Sequence, residues 1–142
     1  MAKAILFGVL GFFAGFVTNF AGFMLMEAIG YFAHPYPPGF KMDDHEAVIA
    51  YIRSYPDWLL GVAVGMWGIS VMGGAWVSTR IGGRVAGILC SVSLLILYYC
   101  NLWEHPYPFW FDSAVVVSVP ICLFIGYQMA AAKLASSVTV GK

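Results

Sequence analysis

Four runs of about twenty apolar residues, separated by short polar stretches, dominate this chain. A helix needs about 20 such residues to cross about 30 Å of hydrocarbon. Ala4 to Met26 alone supplies 23 residues without a formal charge. Of the 142 residues, 61% are hydrophobic and 10% charged, whereas soluble domains carry about 25% charged residues. A chain of this length buries only about two-thirds of its surface, so the surplus apolar groups need lipid as their solvent. Disorder, a disulfide-rich secreted scaffold and a basic nucleic-acid binder are all excluded by this composition. The expectation is an all-α integral membrane four-helix bundle, one transmembrane domain over 1–142.

The expected spans are 4–33, 58–78, 82–103 and 109–132, with an outer loop at 34–57. Lys3 ahead of an apolar run has the look of a signal peptide. The run exceeds the about 7–15 residues of such a segment and no small-x-small site follows, so it reads as an uncleaved first span. Pro56 suits the first turn of span two. Thr79-Arg80-Ile81 is the expected turn into span three. Pro120 is expected to kink span four, with a neighbouring helix or Ser118 satisfying the carbonyl it frees.

Charge placement sets the expected orientation. Lys3, Arg80, Arg84, Lys133 and Lys142 fall on one side of a four-span chain. Glu27, Asp43, Asp44, Glu46, Asp57, Glu104 and Asp112 fall on the other with only Lys41 and Arg53, two bases against seven acids, a net −5. The positive-inside rule then makes both termini cytoplasmic, in the plasma (inner) membrane if the source is bacterial. Aromatics crowd the acidic side, from Tyr31, Phe32 and Tyr36 through Tyr51, Tyr55 and Trp58 to Trp103, Tyr107 and Trp110. An interfacial belt accounts for them; a site for a lipid tail, quinone or pigment is the sharper alternative.

Within the outer loop, Asp43 or Asp44 caps an expected short amphipathic helix, His45 to Arg53. Val48, Ile49, Ile52 and Tyr55 share its apolar face. His-Pro-Tyr-Pro occurs at 34–37 and again at 105–108, each copy after an odd-numbered span. Proline ends the helix, and histidine there can donate to the last free carbonyls.

Glu27 is costly so late in an apolar span unless neutral, paired or wet. If the first helix continues unbroken, Glu27, Tyr31 and His34 share one face. With Glu104 and His105 they form the candidate polar site. The acidic side holds all three histidines, His34, His45 and His105, beside several carboxylates, a set that suits zinc, copper, iron or manganese. No histidine pair has helical ligand spacing, so the metal stays unknown and no cofactor is expected. Cys90, Cys100 and Cys122 form no pairing pattern and read as small apolar thiols. No catalytic motif is present, and the expectation is not an enzyme.

Small residues recur in rows: Gly8, Gly11, Gly15, Asn19 and Gly22 in span one; Gly61, Gly65, Gly68 and Ala75 in span two; Gly83 and Gly87 in span three; Gly126 in span four. Lipid tails give no hydrophobic drive for helix association, so close approach at such rows must supply it. Pro56, the run Gly73-Gly74-Ala75-Trp76-Val77 into Arg80-Ile81, and His105-Pro106 with Phe109-Trp110 resemble a loosely defined group of small four-span bacterial membrane proteins of unassigned role. That resemblance implies the architecture and no catalytic residue. The leading functional expectation is an accessory or scaffolding subunit that packs in the lipid bilayer against other membrane proteins or in a homo-oligomer. The alternatives are a small-solute or ion transport path using Glu27 and Asn19, and an outer-face metal or cofactor site using His34, His105 and Glu104. Nucleic acid is not an expected partner.

Overall fold

The computed structural model describes the backbone of residues 1–140 and the side chains of 1–134. Its elements are α1 (Ala2–Ala33), α2 (His45–Arg53), α3 (Asp57–Glu104) and α4 (Phe109–Val140). No strand occurs among the described residues. Three helices, Ala2–Ala33, Asp57–Glu104 and Phe109–Leu134, are long and apolar enough to cross a membrane.

At 48 residues α3 would be about 72 Å long if straight. It is not straight. Gly83 takes φ 80° and ψ −177°, and the helix folds back there into two arms. The arms run antiparallel: a Cβ on Gly87 would strike Thr79, one on Gly74 would lie 3.3 Å from Leu94, and the Trp67 and Tyr98 rings sit 5.2 Å apart. The reversal therefore falls after the expected turn at Thr79-Arg80-Ile81. Those three residues are helical, and Thr79 is fully buried with its hydroxyl donating to the Ala75 carbonyl at 2.8 Å. The physical reason is backbone access. Positive φ with extended ψ is a region open essentially to glycine, and a threonine, arginine or isoleucine there would be strained.

α1 lies against both arms of α3, and α4 also lies against α3, with no approach between α1 and α4 among the described residues. α1 is antiparallel to the first arm, since Gly11 meets Gly82, Gly15 meets Gly74 and Gly22 meets Ser70. α4 is parallel to that arm, with Gly126 on Met72 and Cys122 on Gly68. The start of α1 and the Gly83 turn thus share the basic end, with Lys3, Arg80 and Arg84. The end of α1, α2 and the start of α4 share the acidic end. Lys142 lies outside the described residues.

The contact rows differ in part from the expected ones. Gly11, Gly15, Gly22, Gly87 and Gly126 stand where a Cβ would collide, Gly15 at 2.6 Å from the Gly74 carbonyl oxygen. Gly68 is tight against Cys122, and Ala75 is fully buried. Gly8, Gly61 and Gly65 meet nothing within 4 Å, and Gly83 serves the turn rather than packing. Gly74, outside the expected rows, is also at a crossing, where a Cβ would lie 2.8 Å from the Gly15 carbonyl oxygen. Stripe arithmetic finds one face of a helix, but a bundled helix has more than one neighbour.

Polarity runs from outside to inside. Asn19, Ser70, Ser78 and Thr79 are buried, whereas Phe7, Phe13, Phe20, Val85 and Phe124 are each more than half exposed. Asn19 accepts a hydrogen bond from the Tyr98 hydroxyl at 3.2 Å, joining α1 to the second arm. Pro120 leaves α4 helical throughout its described length. Having no N–H, it leaves the Val116 carbonyl free, and the Tyr99 hydroxyl donates to that oxygen at 3.3 Å. The neighbouring arm supplies this donor; the Ser118 hydroxyl, the other candidate, is buried without a partner among the described residues.

Candidate functional site

The local sequence at the acidic end leaves a space between elements. α1 stops at Ala33 because the next residues are His34-Pro35, and His34 takes φ −144° and ψ 77°. The chain then crosses to α2, which starts where Asp44 accepts from the Glu46 and Ala47 amides at 3.1 and 3.2 Å. No helix comes close to the α2 backbone among the described residues. Side chains hold it instead: the Tyr51 hydroxyl donates to the His34 carbonyl at 2.5 Å, and His34 Nε2 lies 2.8 Å from Ser54 Oγ.

Beneath this strap is a cavity of ≈ 430 Å³. Phe23, Met26 and Glu27 of α1 form one wall, and Val48, Tyr51 and Ile52 of α2 form the roof. Leu60, Ala63 and Trp67 of the first arm, Asn101 of the second, and His105, Tyr107 and Phe111 close the rest, with Tyr36, Phe40 and Tyr55 at the loops. The rings touch one another: Tyr36 stacks on Phe40 at 4.6 Å, Tyr107 tilts on Phe111 at 4.6 Å, and Trp67 meets Phe111 edge-on at 5.4 Å. The aromatic crowd read from the sequence therefore divides. Tyr36, Tyr51, Tyr55, Tyr107 and Phe111 turn inward to the cavity, while Phe32, Trp103 and Phe109 are exposed at 84%, 92% and 87%.

Of the five candidate polar residues, two share this cavity. Glu27 and His105 both line it, near enough for their charges to interact. Tyr31 packs on Phe32 and Tyr36 outside it. His34 does not continue the Glu27–Tyr31 face, because it is the residue after the helix; its ring stacks on Tyr51 at 5.2 Å. Glu104 lines two other grooves, one with His45, Val48, Ile49 and His105 and one with Asn19. Among the described residues no three His, Cys, Asp or Glu side chains gather to hold a metal. Asn19 lines a separate groove with Phe20 and Tyr98, so Glu27 and Asn19 do not open onto one space.

The two His-Pro-Tyr-Pro copies have the same use for tyrosine and different uses for histidine. Tyr36 and Tyr107 both line the cavity. His105 Nδ1 lies 3.0 Å from the Asn101 carbonyl, capping the helix end, whereas His34 anchors α2.

Glu27 is an exposed residue that takes no hydrogen bond or ion pair among the described residues, and the indole N–H of Trp67 is buried within the wall without an acceptor among them. Three tyrosines in the loops have pKa values pushed upward. Burial and then the Glu27 charge raise Tyr36; burial and then Glu27 and Asp112 raise Tyr107. Tyr55 is raised by burial, by its hydrogen bond to Tyr51 and by surrounding charge. These hydroxyls stay neutral and can donate.

Trp67, Phe23, Phe40 and Asn101 were not among the residues singled out in the sequence. Periodicity placed them on spans or in the loop without saying which side faced a void, and only a buried tryptophan without an acceptor distinguishes the site. Comparison of the chain with protein-family models, with curated proteins and with solved structures finds no match.

Proposed function

We propose that the chain is a four-span membrane protein acting as an accessory subunit, with both termini cytoplasmic and the α2 strap on the outer side. The spans are α1, the two arms of α3 and α4. The basic residues at the Gly83 end and the acidic residues at the α2 end support this orientation. One observation carries the accessory role: Gly61 and Gly65, one turn apart on the first arm, are exposed and meet nothing within this chain. Each glycine costs about 1 kcal/mol relative to alanine in a helix interior. A pair with no internal contact is accounted for by a second helix that approaches this face through the lipid. Extraction in mild detergent is expected to give an assembly larger than one chain, and Gly61→Leu with Gly65→Leu is expected to dissociate it. A lone monomer in native extracts would contradict the role.

A second reading, that the cavity under α2 binds a small molecule, is favoured by its aromatic lining and by the Glu27 carboxylate among those rings. Its volume falls in the range of about 300–1,000 Å³ typical of ligand sites. Organic extraction of the purified protein followed by mass spectrometry is expected to release a stoichiometric small molecule, or the empty protein is expected to bind one of the class argued next.

A further inference from the structure

We propose that the cavity under α2 is a receptor for a monovalent organic cation, an ammonium ion with alkyl or aryl substituents, held by Glu27 inside a cage of aromatic rings. The proposal rests on the small-molecule reading of the cavity and names its ligand class.

Charge decides the sign of the ligand. Glu27 is the one carboxylate on the described wall, and no lysine or arginine lines the cavity. An anion would meet that carboxylate with only the His105 imidazole to offset it. The surrounding end of the molecule carries seven acids against Lys41 and Arg53, so its field draws cations in. The nature of the wall decides the kind of cation. Calcium or magnesium demands six or more oxygen ligands to replace its water, and no three metal-binding side chains gather among the described residues. The wall is instead made of rings, among them Tyr36, Tyr51, Tyr55, Trp67, Tyr107 and Phe111. The negative faces of such rings attract a weakly hydrated ammonium and accommodate its carbon substituents, as in aromatic cages for quaternary amines.

The same ammonium chemistry occurs in a free amine and in the choline headgroup of a lipid. Calorimetric titration of the full chain in lipid nanodiscs with benzyltrimethylammonium, against empty nanodiscs, tests the proposal. Saturable binding is expected. Neopentylbenzene, in which carbon replaces the charged nitrogen, is expected to bind at least tenfold more weakly. Glu27→Gln is expected to lose tenfold or more, Tyr36→Leu several-fold, and Glu104→Gln, outside the cavity, less than twofold. Weaker binding in phosphatidylcholine nanodiscs than in phosphatidylglycerol ones, beyond that of the blanks, assigns the headgroup as the source; equal binding assigns the free amine. Equal affinity for neopentylbenzene overturns the cationic class while leaving a ligand cavity, and binding of neither compound overturns both. Retained affinity in Glu27→Gln also overturns the proposal. If that variant fails to assemble by size-exclusion chromatography, unchanged affinity in Tyr36→Leu does so.

Discussion

Glycines that look alike in the sequence differ sharply in what surrounds them. Gly15 lies where a Cβ would sit 2.6 Å from the Gly74 carbonyl and 2.7 Å from Ser78 Cβ, both on rigid parts of the first arm. Gly15→Val is therefore expected to destabilise the fold by about 1–3 kcal/mol or more, the usual cost of overpacking. Gly8→Ala, with open space around it, is expected to be neutral or slightly stabilising through helix propensity. Reversible unfolding in mixed micelles compares the two, and equal destabilisation would refute the crossing geometry. Tyr99 offers a second test at this scale. Its hydroxyl serves the carbonyl that Pro120 leaves free, so Tyr99→Phe is expected to cost about 1 kcal/mol. In a Pro120→Ala background, where a backbone N–H can take over, the cost is expected to vanish. A double-mutant cycle with no coupling would remove Tyr99 from that role.

Elements were legible in the sequence to different depths, and the reasons are local. The bounds of α2 and a cap at Asp43 or Asp44 follow from an acceptor side chain set before an amphipathic run, and the structure selects Asp44. The reversal inside α3 was displaced because a polar triplet, Thr79-Arg80-Ile81, looks like a turn, while the geometry needs the residue that tolerates positive φ. Gly83→Ala is accordingly expected to cost about 1–3 kcal/mol although nothing crowds it; a variant as stable as the parent would place the bend elsewhere. The Glu27–Tyr31–His34 face failed for a related reason, since helical spacing stops at the helix end and His34 is already beyond it. The cavity was legible only as the alternative of an aromatic-lined site on the acidic side, because its wall comes from every helix and three loops. Its tyrosines give the pH prediction. For Tyr36, Tyr55 and Tyr107 the folded pKa lies above the ordinary 10.0. Between the unfolded and folded values the unfolded chain binds fewer protons, so stability falls as pH rises past 10. Tyrosinate absorbance is expected to show these three ionising above the ordinary value; titration at 10 would contradict their partly buried, acidic surroundings.

At the scale of the whole molecule, the account depends on a bundle that reverses direction at the strap, at Gly83 and at the second His-Pro-Tyr-Pro. On the proposed four-span reading the acidic and basic ends lie on opposite sides of a bilayer. Apolar surface on α1, α3 and α4 and polar burial at Asn19, Ser78 and Thr79 are what such a solvent favours. In a chain with its three cysteines replaced by alanine, Asp43→Cys, Arg84→Cys and Lys3→Cys would be probed one at a time with a membrane-impermeant maleimide. Asp43→Cys is expected to react in intact cells, and the other two only after the membrane is opened. Reaction of Arg84→Cys from the same side as Asp43→Cys would contradict the four-span bundle.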